Sequence, residues 1–414
     1  MSRRIQYAGG VGARYLLLGA TVFLALVGLV MIYSAASVSD YVHYGDSAHH
    51  LKRQLLWIVI GALAIVVGSR FDYRRLKRFA VPFWAGAVGL LVFVNALGVV
   101  RGGARRWISL GPLGQFQPSE LAKLACVVLT AYLISEWYRR KLTEPQLLGR
   151  VSIMVGAVAA LVLLQPDLGT TIAIALSVAL VLVLGGVATR HMGLAFAIMT
   201  ALTAVAIKVE PYRLERFTAF MNPWADPQRA GYQTVQAMLA FGTGGVNGIG
   251  LGLSRQKFFY LPEAHTDFIL AIIGEEVGLL GTLAIVCAFV VFAYAGFRIA
   301  LGTRDKFGRL LAGGLTGMVA IQAVMNMAAV TGLMPVTGKP LPLVSFGGSS
   351  MLFTAACVGL ILSVSSRGSV VPRVVRAGSE SKETGGATRS ERRRDSRSYL
   401  SGAGGGRGVA RRRA

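Results

Sequence analysis

The stretch "LPEAHTDFILAIIGEE", residues 261–276, sets Glu263, His265, Asp267, Glu275 and Glu276 at the mouth of an apolar run. Asp267 is the sharpest of them. It falls where a long polar loop enters a hydrophobic span, close enough to water to receive a polar substrate and partly desolvated. Burial raises a carboxylate pKa toward the range in which it serves as a general base. The plainer role is helix capping, which Thr266 can also fill. Glu275 and Glu276 follow eight and nine residues on, roughly 12 to 14 Å deeper along a continuous helix. That depth removes them from the same reaction centre and predicts pairing with other helices.

Further candidates lie upstream. Glu120 and Lys123 in "QPSELAKLAC" are three residues apart, so they share a helix face and neutralise each other near the outer end of a span. Either a structural ion pair or a substrate contact fits. Asp167 in "LLQPDLGTT" sits in a very short turn, where it caps a helix or lines a cavity. Outer segments also carry Lys52, Arg53, Arg101, Arg105, Arg106, Lys208, Arg213, Arg216, Arg229, Arg255 and Lys257. Some of these snorkel at the interface; the rest suit an anion there, a lipid pyrophosphate being one. The Gly-rich run Gly242 to Gly252 lacks the Gly-Lys-Ser/Thr ending of a phosphate-binding loop, and suits backbone flexibility or close helix approach.

The elements that position these groups are membrane helices. The 414 residues are 54% hydrophobic and 15% charged, against about 25% charged in soluble domains. Apolar spans of crossing length are expected near 15–34, 54–69, 79–99, 119–135, 151–165, 168–187, 191–207, 265–297, 310–331 and 345–365. The first is read as an uncleaved anchor. Of 43 Lys and Arg, 30 fall on segments that are cytoplasmic when the N-terminus is inside. The expected fold is therefore all-α and polytopic, with about ten transmembrane helices and both termini cytoplasmic. A membrane domain covers 1–366, and a large extracytoplasmic loop, 208–264, joins spans seven and eight. Two amphipathic pieces in that loop, near 211–220 and 229–241, are expected as helices at the outer interface. The tail, 367–414, holds 13 basic and 4 acidic residues with Gly and Ser runs, a composition of disorder. Either a solvated tail or an anionic-lipid or partner anchor fits it. Cys126, Cys287 and Cys357 lie in apolar spans without metal-ligand spacing and read as core residues.

"GARRWISLG", "FQPSELAK", "QPDLGTT", "GYQTVQAMLAFGTGG", "SRQKFFYLPEAHTDFILAIIGEEVGLLG" and "PLVSFGGSS" occur in that order within residues 14–366. Together they resemble the motifs of the SEDS family, the shape, elongation, division and sporulation proteins. "NPWADPQ", "SRQK" and "YLPEAHTDF" are more similar to the division branch than to the elongation branch, and Gln115 before the Phe-Gln-Pro-Ser-Glu motif points the same way. Gly102 stands where Asn is common in the family.

The resemblance implies an inverting glycosyltransferase that polymerises lipid II into glycan strands outside the cytoplasmic membrane, at the bacterial division septum, with undecaprenyl pyrophosphate leaving. It makes Asp267 the catalytic carboxylate and Glu120 and Lys123 a cavity pair. Asp167, Arg106 and Arg53 become cavity or headgroup residues, with Lys257 and His265 beside them on the substrate side. It implies a class B penicillin-binding protein transpeptidase and other division-complex membrane proteins as partners, and no nucleic acid. No clustered ligand motif marks a tightly held metal; a divalent cation, Mg or Mn, would be shared with the pyrophosphate. The alternatives are an elongation or sporulation polymerase, a noncatalytic scaffold, and a lipid II flippase. Transport would spread charge toward the midplane and repeat broken helices in two halves.

Overall fold

A computed structural model describes residues 10–101, 104–111, 114–188 and 211–368, with 193 and 208 besides. The expected seventh span, 191–207, and the basic tail beyond 368 lie outside the described residues. The chain is an all-α polytopic membrane protein. Its helices are α1 (Gly10–Tyr44), α2 (His49–Arg70), α3 (Leu76–Leu97), α4 (Pro118–Tyr138), α5 (Glu144–Leu163), α6 (Leu168–Leu184), α7 (Pro211–Met221), α8 (Tyr232–Gly244), α9 (Ile269–Glu276), α10 (Gly278–Leu301), α11 (Lys306–Val330) and α12 (Gly348–Gly368).

Among the described residues eight helices are long and apolar enough to cross a membrane: α1 to α5 and α10 to α12. The 17-residue α6 is a shorter apolar helix packed among them. Helices α4, α11 and α12 are buried along most of their length and form the centre. Outer helices instead show apolar faces, as Val59, Leu63 and Val67 do on α2. A continuous α-helix satisfies its own backbone, so such faces suit hydrocarbon.

The bundle's two ends are tied differently. At one end Arg14 near the start of α1 donates to Ser365 Oγ at 2.7 Å near the end of α12, and Lys77 pairs with Asp305 at 3.4 Å. The first and last described helices therefore meet at one end, as expected if both termini share a side. At the other end the α3–α4, α5–α6 and α11–α12 connections meet residues 261–268: Arg106 reaches Gln165 O, Lys339 meets Asp167, and Asn326 bonds the Asp267 carbonyl.

Two features depart from expectation. Between α3 and α4 the chain forms a small antiparallel sheet, β1 (Val99–Arg101), β2 (Ala104–Ser109) and β3 (Gln115–Phe116), in that order. Its β-branched and aromatic residues suit strands, and Gly111 and Gly114 take the positive φ that the second turn needs. The second departure is that the expected span 265–297 is not one helix. It breaks at Val277, where Gly278 has φ +74°. The freed carbonyls of Glu275 and Glu276 accept from Ile249 and Gly250 at 3.0 Å each. A Cβ on Gly244 or Gly248 would collide with the backbone of Gly274 or Glu276, so the Gly-rich run is a close-approach surface. The 24 residues of α10 suffice to span by themselves. Glu275 and Glu276 therefore stand before the span instead of two turns inside it.

The two interfacial pieces expected in the long loop are helices α7 and α8.

Candidate active site

Asp267 lies in a run of turns that closes the long loop. Thr266 and Phe268 N–H groups donate to Glu263 O at 3.1 and 3.3 Å, and Thr266 Oγ1 donates to Glu263 Oε2 at 2.7 Å. Helix α9 begins at Ile269, with Phe268 in the cap position and no side-chain cap bond. Neither Asp267 nor Thr266 is spent on capping.

The Asp267 carbonyl accepts from Asn326 Nδ2 at 2.8 Å, and the same amide donates to Lys339 O at 2.7 Å. Asn326, on α11, thus clamps two segments together, one carrying a carboxylate and one an ammonium. Gly338, at φ +65°, lies against the Asp267 carboxylate without a side chain to cover it. Burial pushes this carboxyl up, and Glu263 adds to the effect. Lys339 and Arg216 pull it down, leaving it at about 6.

Lys339 Nζ meets Asp167 Oδ2 at 2.7 Å, both side chains buried. Asp167 caps α6, accepting from Thr170 N at 3.0 Å and Thr170 Oγ1 at 2.8 Å, and it also accepts from Gln117 Nε2 at 3.3 Å. Capping and cavity roles therefore coincide in one side chain. Burial works to raise its pKa, but Lys339 and Arg106, with these hydrogen bonds, hold it below the ordinary carboxylate value. Arg106 on β2 reaches the same turn, donating through Nε to Gln165 O and through a terminal nitrogen to Pro166 O, both at 2.7 Å.

Glu120 and Lys123 form a buried pair at 2.8 Å on the first turns of α4. Lys123 also donates to Gln322 on α11, whose Nε2 donates to Pro340 O at 3.1 Å, one residue past Lys339. The pair is thereby linked through the 331–347 segment to the Lys339–Asp167 pair. Ser119 Oγ, both amide atoms of Gln165 and Asn326 Oδ1 are buried and unbonded among the described residues. Buried polar atoms without partners are costly, and several around one network suit a polar ligand.

Other predicted residues fall elsewhere. Lys257 Nζ donates to Gly252 O and lies 3.9 Å from Glu276, so it belongs to a separate cluster. There Glu275 accepts from Ser254 Oγ and from Arg255 N at 3.1 Å, while Glu276 accepts from Ser34 Oγ at 2.6 Å. Both glutamates fasten residues 254–256 to the bundle, and among the described residues only the Ser34 bond joins another helix. His265 packs its ring against His50 and Phe346. Arg53 is half-buried one turn along α2 from His49 and His50. Arg213 has no described side chain. Among the described residues no three His, Cys, Asp or Glu side chains are arranged to hold a metal ion.

Sequence reasoning passed over Lys339, Asn326, Gln322 and Gln117. The one available signal was Lys339 itself, a lone cation in "TGKPLP" between two spans. By sequence Arg216 is one of many outer cations.

A family model described as "Cell cycle protein", for FtsW, RodA and SpoVE, matches residues 14–369. The probable peptidoglycan glycosyltransferase FtsW of Geobacter metallireducens is 40% identical, covering 84% of this chain and 92% of that one. Stage V sporulation protein E of Bacillus subtilis is 39% identical, covering 83% and 94%. Among solved structures, one from work on structural coordination of polymerization and crosslinking by a peptidoglycan synthase complex is similar with TM-score 0.68 and 30% identity, covering 84% and 96%. The rod shape determining protein RodA of Thermus thermophilus has TM-score 0.64 and 28% identity, covering 86% and 97%.

Proposed function

The chain belongs to the FtsW, RodA and SpoVE family of cell cycle proteins, and from that membership we propose that it polymerises lipid II into peptidoglycan glycan strands. The observation that carries this reading is Asp267, a half-buried carboxyl at about 6, placed beside Lys339 and Arg216 where the loops of a membrane bundle converge. At neutral pH such a group is mostly ionised and still basic enough to accept a proton in the transition state.

The acceptor sugar hydroxyl attacks the anomeric carbon of the donor as its proton passes to Asp267. The bond from that carbon to the pyrophosphate oxygen breaks, and the electron pair leaves with the polyprenyl pyrophosphate. One displacement inverts the anomeric centre, so no covalent enzyme intermediate is required. Charge gathers on the departing pyrophosphate, and fixed cations in a water-poor site stabilise it best. Lys339, Arg216 and Arg106 supply that charge, with Asp167 holding Lys339 in place. A divalent cation brought in on the pyrophosphate would add to the charge that these side chains supply. Both substrates are lipid-linked, which suits an enzyme embedded among apolar helix faces.

A class B penicillin-binding protein that cross-links the new strands is the proposed partner, supported by the likeness to a synthase complex joining polymerization and crosslinking. The division septum is the proposed location, supported by relatives named FtsW. A flippase is less well supported, because Glu120 and Lys123 occupy the first turns of α4 and not its middle.

The test is polymerisation of fluorescent lipid II by the purified protein with its class B partner, comparing wild type with Asp267→Asn at matched folding and complex formation. Glycan from the wild type alone supports the reading. Equal glycan from both removes Asp267 from the mechanism, and none from either leaves transport or scaffolding as the better account.

A further inference from the structure

Asp40 is a fully buried carboxylate near the end of α1. It accepts from the backbone N–H of His50 at 2.8 Å and from His50 Nδ1, so both the start of α2 and the imidazole are fixed by one side chain. The His50 ring then fills a corner made by His265, with ring centroids 4.5 Å apart, and by Phe346, 4.6 Å away and edge-on. Those two residues are joined by a backbone hydrogen bond, Phe346 N–H to His265 O at 3.0 Å. The joint ties the 261–268 turns, which carry Asp267, to the 331–347 segment, which carries Lys339. Asn326 on α11 clamps the same two segments.

We propose that His50, oriented by Asp40, is a positioning residue that braces the His265–Phe346 joint and so fixes Asp267 relative to Lys339. The proposal rests on the polymerase reading above, with Asp267 as the base. His50 touches neither Asp267 nor Lys339 in any described contact; it acts through the backbone two residues from the carboxylate. Misplacing a reacting group by about 1 Å costs on the order of 100-fold in rate, so a loosened brace should be read in kcat. Asp267 feels Glu263, Lys339, Arg216 and Asp167, and His50 faces Asp40, His49, Tyr44 and His265. Loosening the joint admits water to Asp267, whose raised pKa comes first from burial. The acidic limb of the activity profile should therefore move downward.

The experiment measures lipid II polymerisation by the full chain with its class B partner, as kcat, KM and pH profile. The variants are His50→Ala, Asp40→Ala, Asp40→Asn and the double alanine variant. His50→Ala is expected to lose roughly 10- to 100-fold in kcat, with KM unchanged within about twofold and the acidic limb lowered. Asp40→Asn, which still bonds His50, should stay within about threefold of wild type, while Asp40→Ala should match His50→Ala. The double variant should cost no more than either single one, as expected of residues acting as a unit.

A kcat within twofold for His50→Ala overturns the proposal. So does a loss with an unmoved acidic limb and additive doubles, the signature of general destabilisation. If His50→Ala does not fold, the contrast between Asp40→Asn and Asp40→Ala decides. A wild type that makes no glycan overturns the polymerase reading and the brace with it; an Asp267→Asn variant as active as wild type removes Asp267 as base and so the brace, while the polymerase reading stands. Unaltered His50 and Asp40 variants in a working polymerase overturn the brace alone.

Discussion

Removing Lys339 tests the centre of the site most directly. Its ammonium lies 2.7 Å from Asp167, with side-chain exposures of 4% and 1%. Breaking one partner of a buried pair leaves the other charge uncompensated, at a cost of about 3 to 5 kcal/mol. Asp167 keeps Thr170 N, Thr170 Oγ1, Gln117 and the field of Arg106, which places Lys339→Met near the lower bound, about 3 kcal/mol. Asn at 167 can still cap α6 but carries no charge. The double variant Lys339→Met with Asp167→Asn should therefore regain about 2 kcal/mol of that loss. Stability is read from denaturant-driven unfolding in mixed micelles, and glycan synthesis from the same preparations. Activity should not return with stability, because the cation proposed to face the pyrophosphate is still missing. A single variant within about 0.5 kcal/mol of wild type, or a double variant no better than the single one, refutes the argument that a buried pair organises this site.

Three further outcomes follow from named contacts. Asp267→Asn should lower glycan synthesis by about 100- to 10,000-fold, and the wild-type rate should fall as pH drops through about 6; a flat profile between pH 5 and 8 would count against Asp267 as base. The folded pKa of about 6 exceeds the ordinary 3.8, so the folded chain binds the extra proton. This group's contribution to stability is full below the unfolded value and lost as pH rises through about 6. Asp267→Asn should accordingly be more stable than wild type at pH 7, by roughly 1 to 3 kcal/mol, with the gap closing below pH 4 in unfolding titrations. Asn326→Ala strips donors from the Asp267 and Lys339 carbonyls and should cost about 1 to 3 kcal/mol; Asn326→Asp, which cannot donate when ionised, should behave no better, and a neutral result for both would show that the clamp is idle.

Gly248 offers a test away from the chemistry. It has φ +77°, and a Cβ there would collide with the Glu276 carbonyl, so Gly248→Ala should loosen the 250–257 segment and raise its proteolytic cleavage. Unchanged cleavage would mean that Glu275 and Glu276 hold the segment without the close approach.

Legibility in the sequence followed the physics of each feature. Crossing helices are set by local composition over 20 or so residues, because lipid leaves the backbone no partner but itself; hence α1 to α5, α11 and α12 stand where hydropathy puts them. The Glu120–Lys123 pair was legible because helical spacing alone brings the two together. Asp267 stood out because a carboxylate at the mouth of a span is expensive and needs a reason.

Non-local geometry was not legible. The break at Gly278 depends on carbonyls of Glu275 and Glu276 finding amides of Ile249 and Gly250, a pairing across the loop that no hydropathy window contains. Lys257 belonged to the outer cations by sequence, and only the fold assigned it to Glu276. Lys339 is 172 residues from Asp167, and Asn326 is 59 from Asp267. The sequence by itself determined a membrane bundle, its family and its most telling carboxylate, since these depend on composition, order and local spacing. Which cation faces that carboxylate, and which amide holds the two in register, depended on helices distant in the chain meeting at one end of the bundle, and only the tertiary structure decided it.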